Sequence, residues 1–189
     1  MLSTEILLVT GLPRSGTSLM MQMLHAGGMP VFRETDSWSY ETELITKLPD
    51  DSAWLQECYG KAVKLLDPHR WTPPQGLPYR IIWMTRIWQE QAKSQVKFLK
   101  ALGKPISKKD VPYFRKMIKQ DTGTCLLLLK QYHCPFLRVQ FESLLKHPTL
   151  IAEKVSAFCG GLDVGKMVSC VKKRSVRCLP GMMEMEERP

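Results

Sequence analysis

Short runs of apolar residues alternate along the chain with longer segments in which apolar residues recur every three or four positions. The short runs predict buried strands, and the longer segments predict amphipathic helices. The predicted strands cover residues 5–10, 61–66, 79–84 and 136–141. Because strands that alternate with helices favour a parallel sheet covered on both sides, this pattern predicts a three-layer α/β/α fold with a mainly parallel sheet.

The helical segments have recognisable starts and ends. The first helix begins at Thr17, directly after a glycine-rich turn, and two further helices are predicted over residues 90–102 and 110–132. A last helix begins at Pro148, a residue that is favoured in the first turn, and ends at a glycine pair. A single domain over residues 1–182 with a polar tail over 183–189 accounts for the whole pattern.

Composition narrows the class of ligand. The net charge of +9 over 189 residues predicts an anionic partner, because a positive field attracts anions. No apolar run is long enough to span a bilayer and no signal peptide is recognisable, so we expect a cytoplasmic protein without a membrane span. The six cysteines include no C-x-x-C pair, and we predict reduced thiols and no metal site.

The turn after the first strand, GLPRSGTS at residues 11–18, has the outline of a phosphate-binding loop. In such a loop, backbone N–H groups converge on the anion and the helix N-terminus adds partial positive charge. Nucleoside triphosphatases also carry a lysine before the hydroxyl residue of this loop, and that lysine reaches the β- and γ-phosphates. This chain has Gly16-Thr17 at that point and carries its cation at Arg14, which disfavours a magnesium-dependent kinase or GTPase.

With its neighbours, this loop resembles the 5′-phosphosulfate loop of the sulfotransferases, which reads Pro-Lys/Arg-Ser-Gly-Thr-Ser/Thr after a strand. A second match follows the strand at 79–84, where Arg86 and Ser94 lie eight residues apart. In the family, residues in this arrangement bind the 3′-phosphate of the donor. Residues 137–161 resemble the family's late strand, its Tyr-Glu-Asp-Leu turn and its proline-initiated helix.

The resemblance implies a P-loop-like sulfotransferase fold and an enzyme that uses 3′-phosphoadenosine 5′-phosphosulfate (PAPS) as donor. It implies a 5′-phosphate site built from Pro13, Arg14, Ser15, Gly16, Thr17 and Ser18. It also implies that Arg86 and Ser94 bind the 3′-phosphate and that Lys64 contacts the transferring sulfate. A guanidinium at Arg14 can stabilise the leaving phosphate with two hydrogen bonds, so the reaction requires no metal.

The base that activates the acceptor differs between branches of the family. In the cytosolic aryl and steroid enzymes, a histidine follows a strand lysine by two residues. Lys64 matches that lysine, but Leu66 occupies the histidine position. This route therefore requires Asp67 or His69 to take the place of the histidine.

In the tyrosylprotein enzymes, the base is a glutamate that follows the loop helix. The stretch FRETD places Glu34 at a similar distance from that helix. We therefore predict Glu34 as the base, with Asp36 and Glu41 as alternatives. The acceptor is a hydroxyl or an amine, and the sequence does not identify it further.

Some features depart from the family pattern. Phe141 replaces the tyrosine of the late turn, and the basic segment at 172–177 takes the place of the Arg-Lys-Gly segment that closes over the 3′-phosphate. The chain is also short, which suits a small member of bacterial or phage type. The alternatives are a P-loop-type nucleotide kinase and a non-catalytic module that binds a nucleotide or nucleic acid. We expect no nucleic-acid partner, because the basic residues are spread along the chain without interleaved aromatic residues.

Overall fold

A four-stranded parallel sheet forms the centre of the computed structural model, which describes residues 4–33, 40–172, 175 and 177. The strands are β1 (Ile6–Gly11), β2 (Ala62–Leu66), β3 (Tyr79–Thr85) and β4 (Phe136–Gln140). Their order in the sheet is β2-β1-β3-β4, and every neighbouring pair is parallel. All four lie within one residue of the predicted bounds.

The central strand β1 is buried along its whole length. Its residues alternate between the two faces of the sheet, so that Ile6 and Leu8 join one hydrophobic core while Leu7 and Val9 join a second. A strand that is apolar on both faces requires cover on both sides. The continuous apolar run in the sequence therefore encodes a central position in the sheet.

Helices cover both faces and complete the predicted three layers. They are α1 (Thr17–Ala26), α2 (Trp88–Ala101), α3 (Val111–Lys130), α4 (Phe141–Lys146), α5 (Pro148–Phe158) and α6 (Val164–Ser169). On one face α2 packs against α3, and on the other α6 contacts both α1 and α5. Among the described residues, no helix combines the length and the apolar character needed to cross a bilayer.

The shorter elements differ from the predictions. The six-residue helices α4 and α6 and two 3₁₀ segments, Glu43–Lys47 and Ala53–Cys58, were not predicted. A segment of six residues makes fewer than two turns, so its apolar period is too short to recognise. Phe141, expected at the end of β4, instead begins α4, because an apolar residue suits either element.

The carboxyl ends of three strands meet at one edge of the sheet. Gly11, the last residue of β1, is in register with Leu66 of β2 and Met84 of β3. In open parallel sheets, ligands bind at the carboxyl ends of the strands. The topology therefore brings the segments that follow β1, β2 and β3 to one place.

Candidate active site

The loop between β1 and α1 has the backbone of an anion cradle. Two of its residues, Arg14 and Gly16, adopt left-handed conformations with φ of 66° and 102°. Among the described residues, no side chain caps the N-terminus of α1. Because the first N–H groups of a helix have no intrahelical acceptor, this end of α1 can bind an anion.

Gly16 is also a point of close contact between the loop and the rest of the protein. A β-carbon added there would lie 2.4 Å from Cδ2 of Phe141. The ring of Phe141 therefore packs directly on the loop backbone and connects it to the start of α4.

Arg86, just beyond β3, is held against this loop. Only 5% of the residue is exposed, and its Nη1 donates a hydrogen bond to the backbone oxygen of Arg14 at 3.2 Å. Its guanidinium lies over the ring of Phe141, 4.6 Å from the centroid. The structure thus brings the two arginines of the predicted donor site together, with Arg14 in the loop and Arg86 bonded to its backbone.

Helix α2 supports the loop from the side. The Nε of Arg14 donates to the hydroxyl of Ser94 at 3.1 Å, and its guanidinium lies 5.1 Å from the ring centroid of Phe98. The side-chain amide of Gln91 donates to the backbone oxygen of Pro13 at 2.8 Å. Gln91, Ser94 and Phe98 are three and four residues apart, so they share one face of α2.

Lys64 approaches the loop from β2 on the other side. Its side chain is 2% exposed, and its Nζ donates to the hydroxyl of Ser18 at 2.9 Å and forms an ion pair with Glu41 at 2.8 Å. Burial lowers the pKa of Lys64, and the charge of Glu41 opposes this shift. An ammonium group at the mouth of an anion cradle can contact an anion bound there.

These elements enclose a pocket of about 320 Å³. Of the predicted donor-site residues, those that line it are Pro13, Arg14, Gly16, Thr17, Ser18 and Arg86. Ser15 and Ser94 are buried behind this lining. Lys64 and Glu41 line the same pocket, as does Lys172, the first residue of the predicted basic segment at 172–177.

Of the three candidate bases, Glu41 is the one that the structure describes. Glu34 and Asp36 lie outside the described residues, whereas Glu41, with a side chain 60% exposed, lies at the pocket beside Lys64. Of the alternative bases on the described part of the chain, Glu41 is the one that the pocket includes.

Asp67 and His69, the possible substitutes for the missing histidine, are not among the described residues that line this pocket. The Nδ1 of His69 lies 3.1 Å from the sulfur of Cys125, and its Nε2 lies 3.9 Å from Asp121, both on α3. Burial raises the pKa of Asp67, which interacts with the same group of residues. Both side chains therefore belong to the packing between β2 and α3.

Sequence reasoning missed the residues that support the two arginines. Phe98 and Gln91 carry no motif, although their spacing from Ser94 on a predicted helix would have placed them on its face. The stacking of Arg86 on Phe141 joins residues 55 positions apart in the sequence, and no local pattern reports such a contact.

The parallel sheet with this loop between β1 and α1 is the fold of the sulfotransferases, as three solved structures show. The sulfotransferase domain from the curacin biosynthetic pathway matches with a TM-score of 0.57 and 11% identity, covering 94% of this chain and 81% of that one. Mouse sulfotransferase SULT7A1, solved in complex with PAP, matches with a TM-score of 0.58 and 15% identity, covering 89% and 63%. Sulfotransferase STF9 from Mycobacterium avium matches with a TM-score of 0.51 and 10% identity, covering 90% and 67%.

Other comparisons gave no match. No family model matches the chain, and no curated protein matches its sequence. The relationship is therefore one of fold, at identities of 10% to 15%.

Proposed function

We propose that this protein is a sulfotransferase that moves the sulfuryl group of PAPS to a hydroxyl or amine acceptor. The observation that carries the proposal is the meeting of Arg86, Arg14 and Lys64 around one anion cradle. The solved complex of SULT7A1 with PAP, the nucleotide that remains after sulfuryl transfer, supports a donor of this kind.

The 5′-phosphate of the donor would bind at the start of α1. The N–H groups of the first turn have no intrahelical acceptors, and the hydroxyls of Thr17 and Ser18 lie on the same turn. The Arg14 guanidinium lines the pocket beside them and can donate two parallel hydrogen bonds to phosphate oxygens. This part of the site accepts any nucleotide with a 5′-phosphate.

The 3′-phosphate would bind at Arg86, with Ser94 close behind. A buried guanidinium over an aromatic ring is oriented before any ligand arrives, and a dianionic phosphate matches its charge. ATP has no phosphate at this position. Arg86 is therefore the residue that would separate PAPS and PAP from ordinary adenine nucleotides.

Transfer itself needs positioning and charge stabilisation. The acceptor oxygen or nitrogen attacks sulfur and loses its proton to a base, while the bond from sulfur to the 5′-phosphate oxygen breaks and that oxygen gains charge. Arg14 and Lys64 would stabilise this charge from two sides, and the low exposure of Lys64 strengthens its effect. The two cations can act without a metal ion.

Glu34 is our proposed base, and Glu41 has a different task. The ion pair at 2.8 Å holds the ammonium of Lys64 at the pocket and offsets the lowering of its pKa by burial. A comparison of Glu34→Gln with Glu41→Gln separates the two roles. Loss of the base removes transfer but leaves donor binding intact, whereas loss of the ion pair weakens donor binding as well.

Calorimetric titration with PAP, 5′-AMP and ATP tests the donor site. We expect micromolar binding of PAP and weaker binding of the other two nucleotides, since only PAP can use Arg86. Arg86→Ala should reduce PAP to the affinity of 5′-AMP, and Arg14→Ala should weaken all three. Transfer is then measured with sulfur-labelled PAPS and a panel of phenols, sugars, lipids, peptides and amines.

Arg80→Ala provides a matched control. Arg80, near the start of β3, likewise covers a phenylalanine ring, but it lies at the end of the strand away from the pocket, where it pairs with Glu5. This variant loses an arginine of the same kind and should keep its preference for PAP. A wild-type protein without any preference for PAP over 5′-AMP and ATP would overturn the proposal.

A further inference from the structure

The positive charge of this protein is concentrated in one part of the chain. Residues 93–119 contain nine lysines and arginines and one acidic residue, Asp110. The rest of the chain contains 18 basic and 17 acidic residues. The expectation that the basic residues are spread along the chain is therefore wrong, and the excess charge belongs to α2, α3 and their connection.

Most of this charge faces solvent. The basic surface, as we define it, consists of the exposed residues Lys100, Lys104, Lys108, Lys109, Arg115, Lys116 and Lys119. The two helices form one continuous support for it, because they pack together and Arg115 donates a hydrogen bond to the side chain of Gln89 at 3.3 Å. A cluster of this density attracts a polyanion or an anionic surface.

Large apolar side chains are exposed among these cations. In the described part of the chain, seven large hydrophobic residues are exposed. Four of them lie between residues 87 and 113, and they are Ile87, Trp88, Leu102 and Tyr113. Leu102 is 57% exposed and lies between Lys100 and Lys104, where α2 ends and the connection to α3 begins. Exposed aliphatic and aromatic residues beside lysines are typical of a surface that enters the interface of a bilayer.

Nucleic acid suits this surface less well. Eight of the nine cations are lysines, whereas arginine is the residue favoured for recognition of nucleic-acid phosphates. The Nζ of Lys119 lies over the ring of Trp88, 5.6 Å from its centroid, so a base would have to displace this ammonium to stack on the same face. Contact with a hydrated phosphate backbone would not remove the side chains of Leu102 and Ile87 from water, whereas contact with acyl chains would bury them favourably.

We propose that the basic surface docks this protein on an anionic lipid bilayer, with Leu102 at the level of the headgroups. The inference does not depend on sulfuryl transfer. Helix α2 thus contributes both to the basic surface and, through Gln95 and Phe98, to the wall of the pocket.

Co-sedimentation with vesicles tests this proposal in the full chain. Vesicles of phosphatidylcholine alone are compared with vesicles that contain one third phosphatidylglycerol, at about 0.15 M salt. We expect binding to the anionic vesicles only. A variant that combines Lys104→Glu, Lys108→Glu and Lys109→Glu should have a partition coefficient roughly tenfold lower, because each cation near the membrane contributes to binding.

Two further variants make the test specific. The control Lys47→Glu, Lys146→Glu and Lys154→Glu makes the same change in net charge at exposed lysines outside the basic surface, and it should bind at least several times more tightly than the first triple variant. Leu102→Ser removes an apolar group without a change in charge, and we expect a loss of about fivefold. Thermal unfolding followed by circular dichroism shows that each variant is folded.

Three results would overturn the proposal. The first is absence of wild-type binding to anionic vesicles, and the second is an equal loss of binding in the two triple variants. The third is tighter wild-type binding to a single-stranded oligonucleotide than to vesicles, together with unchanged vesicle binding of Leu102→Ser. The second result would mean that vesicle binding depends only on the net charge of the protein. The third would mean that the basic surface binds nucleic acid.

Discussion

Gly16 occupies a position where the backbone and the packing each exclude a larger residue. Its φ of 102° lies in the left-handed region, and a β-carbon there would overlap the ring of Phe141. Gly28 separates these two effects, because its φ is 96° but no atom lies within 4 Å of the corresponding β-carbon.

We predict that Gly16→Ala lowers the free energy of unfolding by about 1–3 kcal/mol more than Gly28→Ala does. Both variants carry the cost of a left-handed alanine, about 1–2 kcal/mol, and only the first has to displace Phe141. Urea unfolding measures both losses, and calorimetry should show that PAP binding weakens in Gly16→Ala alone. Equal losses would mean that the ring moves aside freely.

Lys64 gives the stability a dependence on pH. Burial lowers its pKa in the folded state, and Glu41 offsets this only in part. In the unfolded chain, the ordinary lysine pKa of 10.5 returns. Between the lowered pKa and 10.5, Lys64 binds its proton more fully in the unfolded chain than in the folded protein, so its own contribution to stability rises with pH in this window.

We therefore predict that Lys64→Met changes the pH profile of stability. The free energy of unfolding of the wild type, minus that of the variant, should rise as the pH passes through the lowered pKa toward 10.5, because the cost of burying an ammonium disappears. Urea unfolding along an alkaline pH series measures this difference, with Lys47→Met, at an exposed lysine, as a control for charge. A difference that falls or stays constant would contradict the assignment.

Among the elements, α2 connects the parts of the site. One face of this helix holds the loop carbonyls through Gln91 and the Arg14 side chain through Ser94. The turn before it is fixed from the other side, since the backbone N–H of Ile87 donates to the carboxylate of Glu142 at 3.0 Å. A substitution on this face of α2 can therefore alter the position of the loop, even when the substituted side chain does not contact the ligand.

Gln91→Glu tests this role with little change in shape. The new carboxylate faces the oxygens of Leu12 and Pro13 and has no proton to donate at neutral pH, so the loop should loosen. We predict that PAP affinity falls about tenfold and the free energy of unfolding falls by about 1–3 kcal/mol. Calorimetry measures the first, and urea unfolding the second.

The exposed Gln120→Glu on α3 controls for the added charge in this comparison. Unchanged affinity in Gln91→Glu, together with reduced stability, would mean that the loop needs no support from α2.

The elements also show which features of the fold and the site the sequence predicts. The strands were predictable because β1 and its neighbours are short apolar runs bounded by turn residues, and the loop was predictable because it is contiguous. Contacts such as Arg14 with Ser94, 80 positions apart, arise from the crossing of α2 over the loop. The ion pair of Lys64 and Glu41 is likewise a product of the tertiary fold, since 23 positions separate the two residues.

For the whole molecule, two groups of cations serve different surfaces. The pocket contains Arg14, Arg86 and Lys64 in a largely enclosed arrangement, and the basic surface holds seven exposed cations on α2, α3 and their connection. The net charge of +9 therefore does not describe the pocket. It comes almost entirely from residues 93–119, and salt screens the exposed cations there more strongly than the buried ones of the pocket.

The adjacency of β1 and β3 sets a fixed distance inside the site. The loop follows β1 and Arg86 follows β3, and neighbouring strands lie about 4.8 Å apart with their register fixed by backbone hydrogen bonds. The two proposed phosphate-binding groups are thus held at a fixed separation. A fixed separation selects ligands by the distance between their two phosphates. It would therefore discriminate between a 3′-phosphate and its 2′-phosphate isomer, although the two have the same charge and composition.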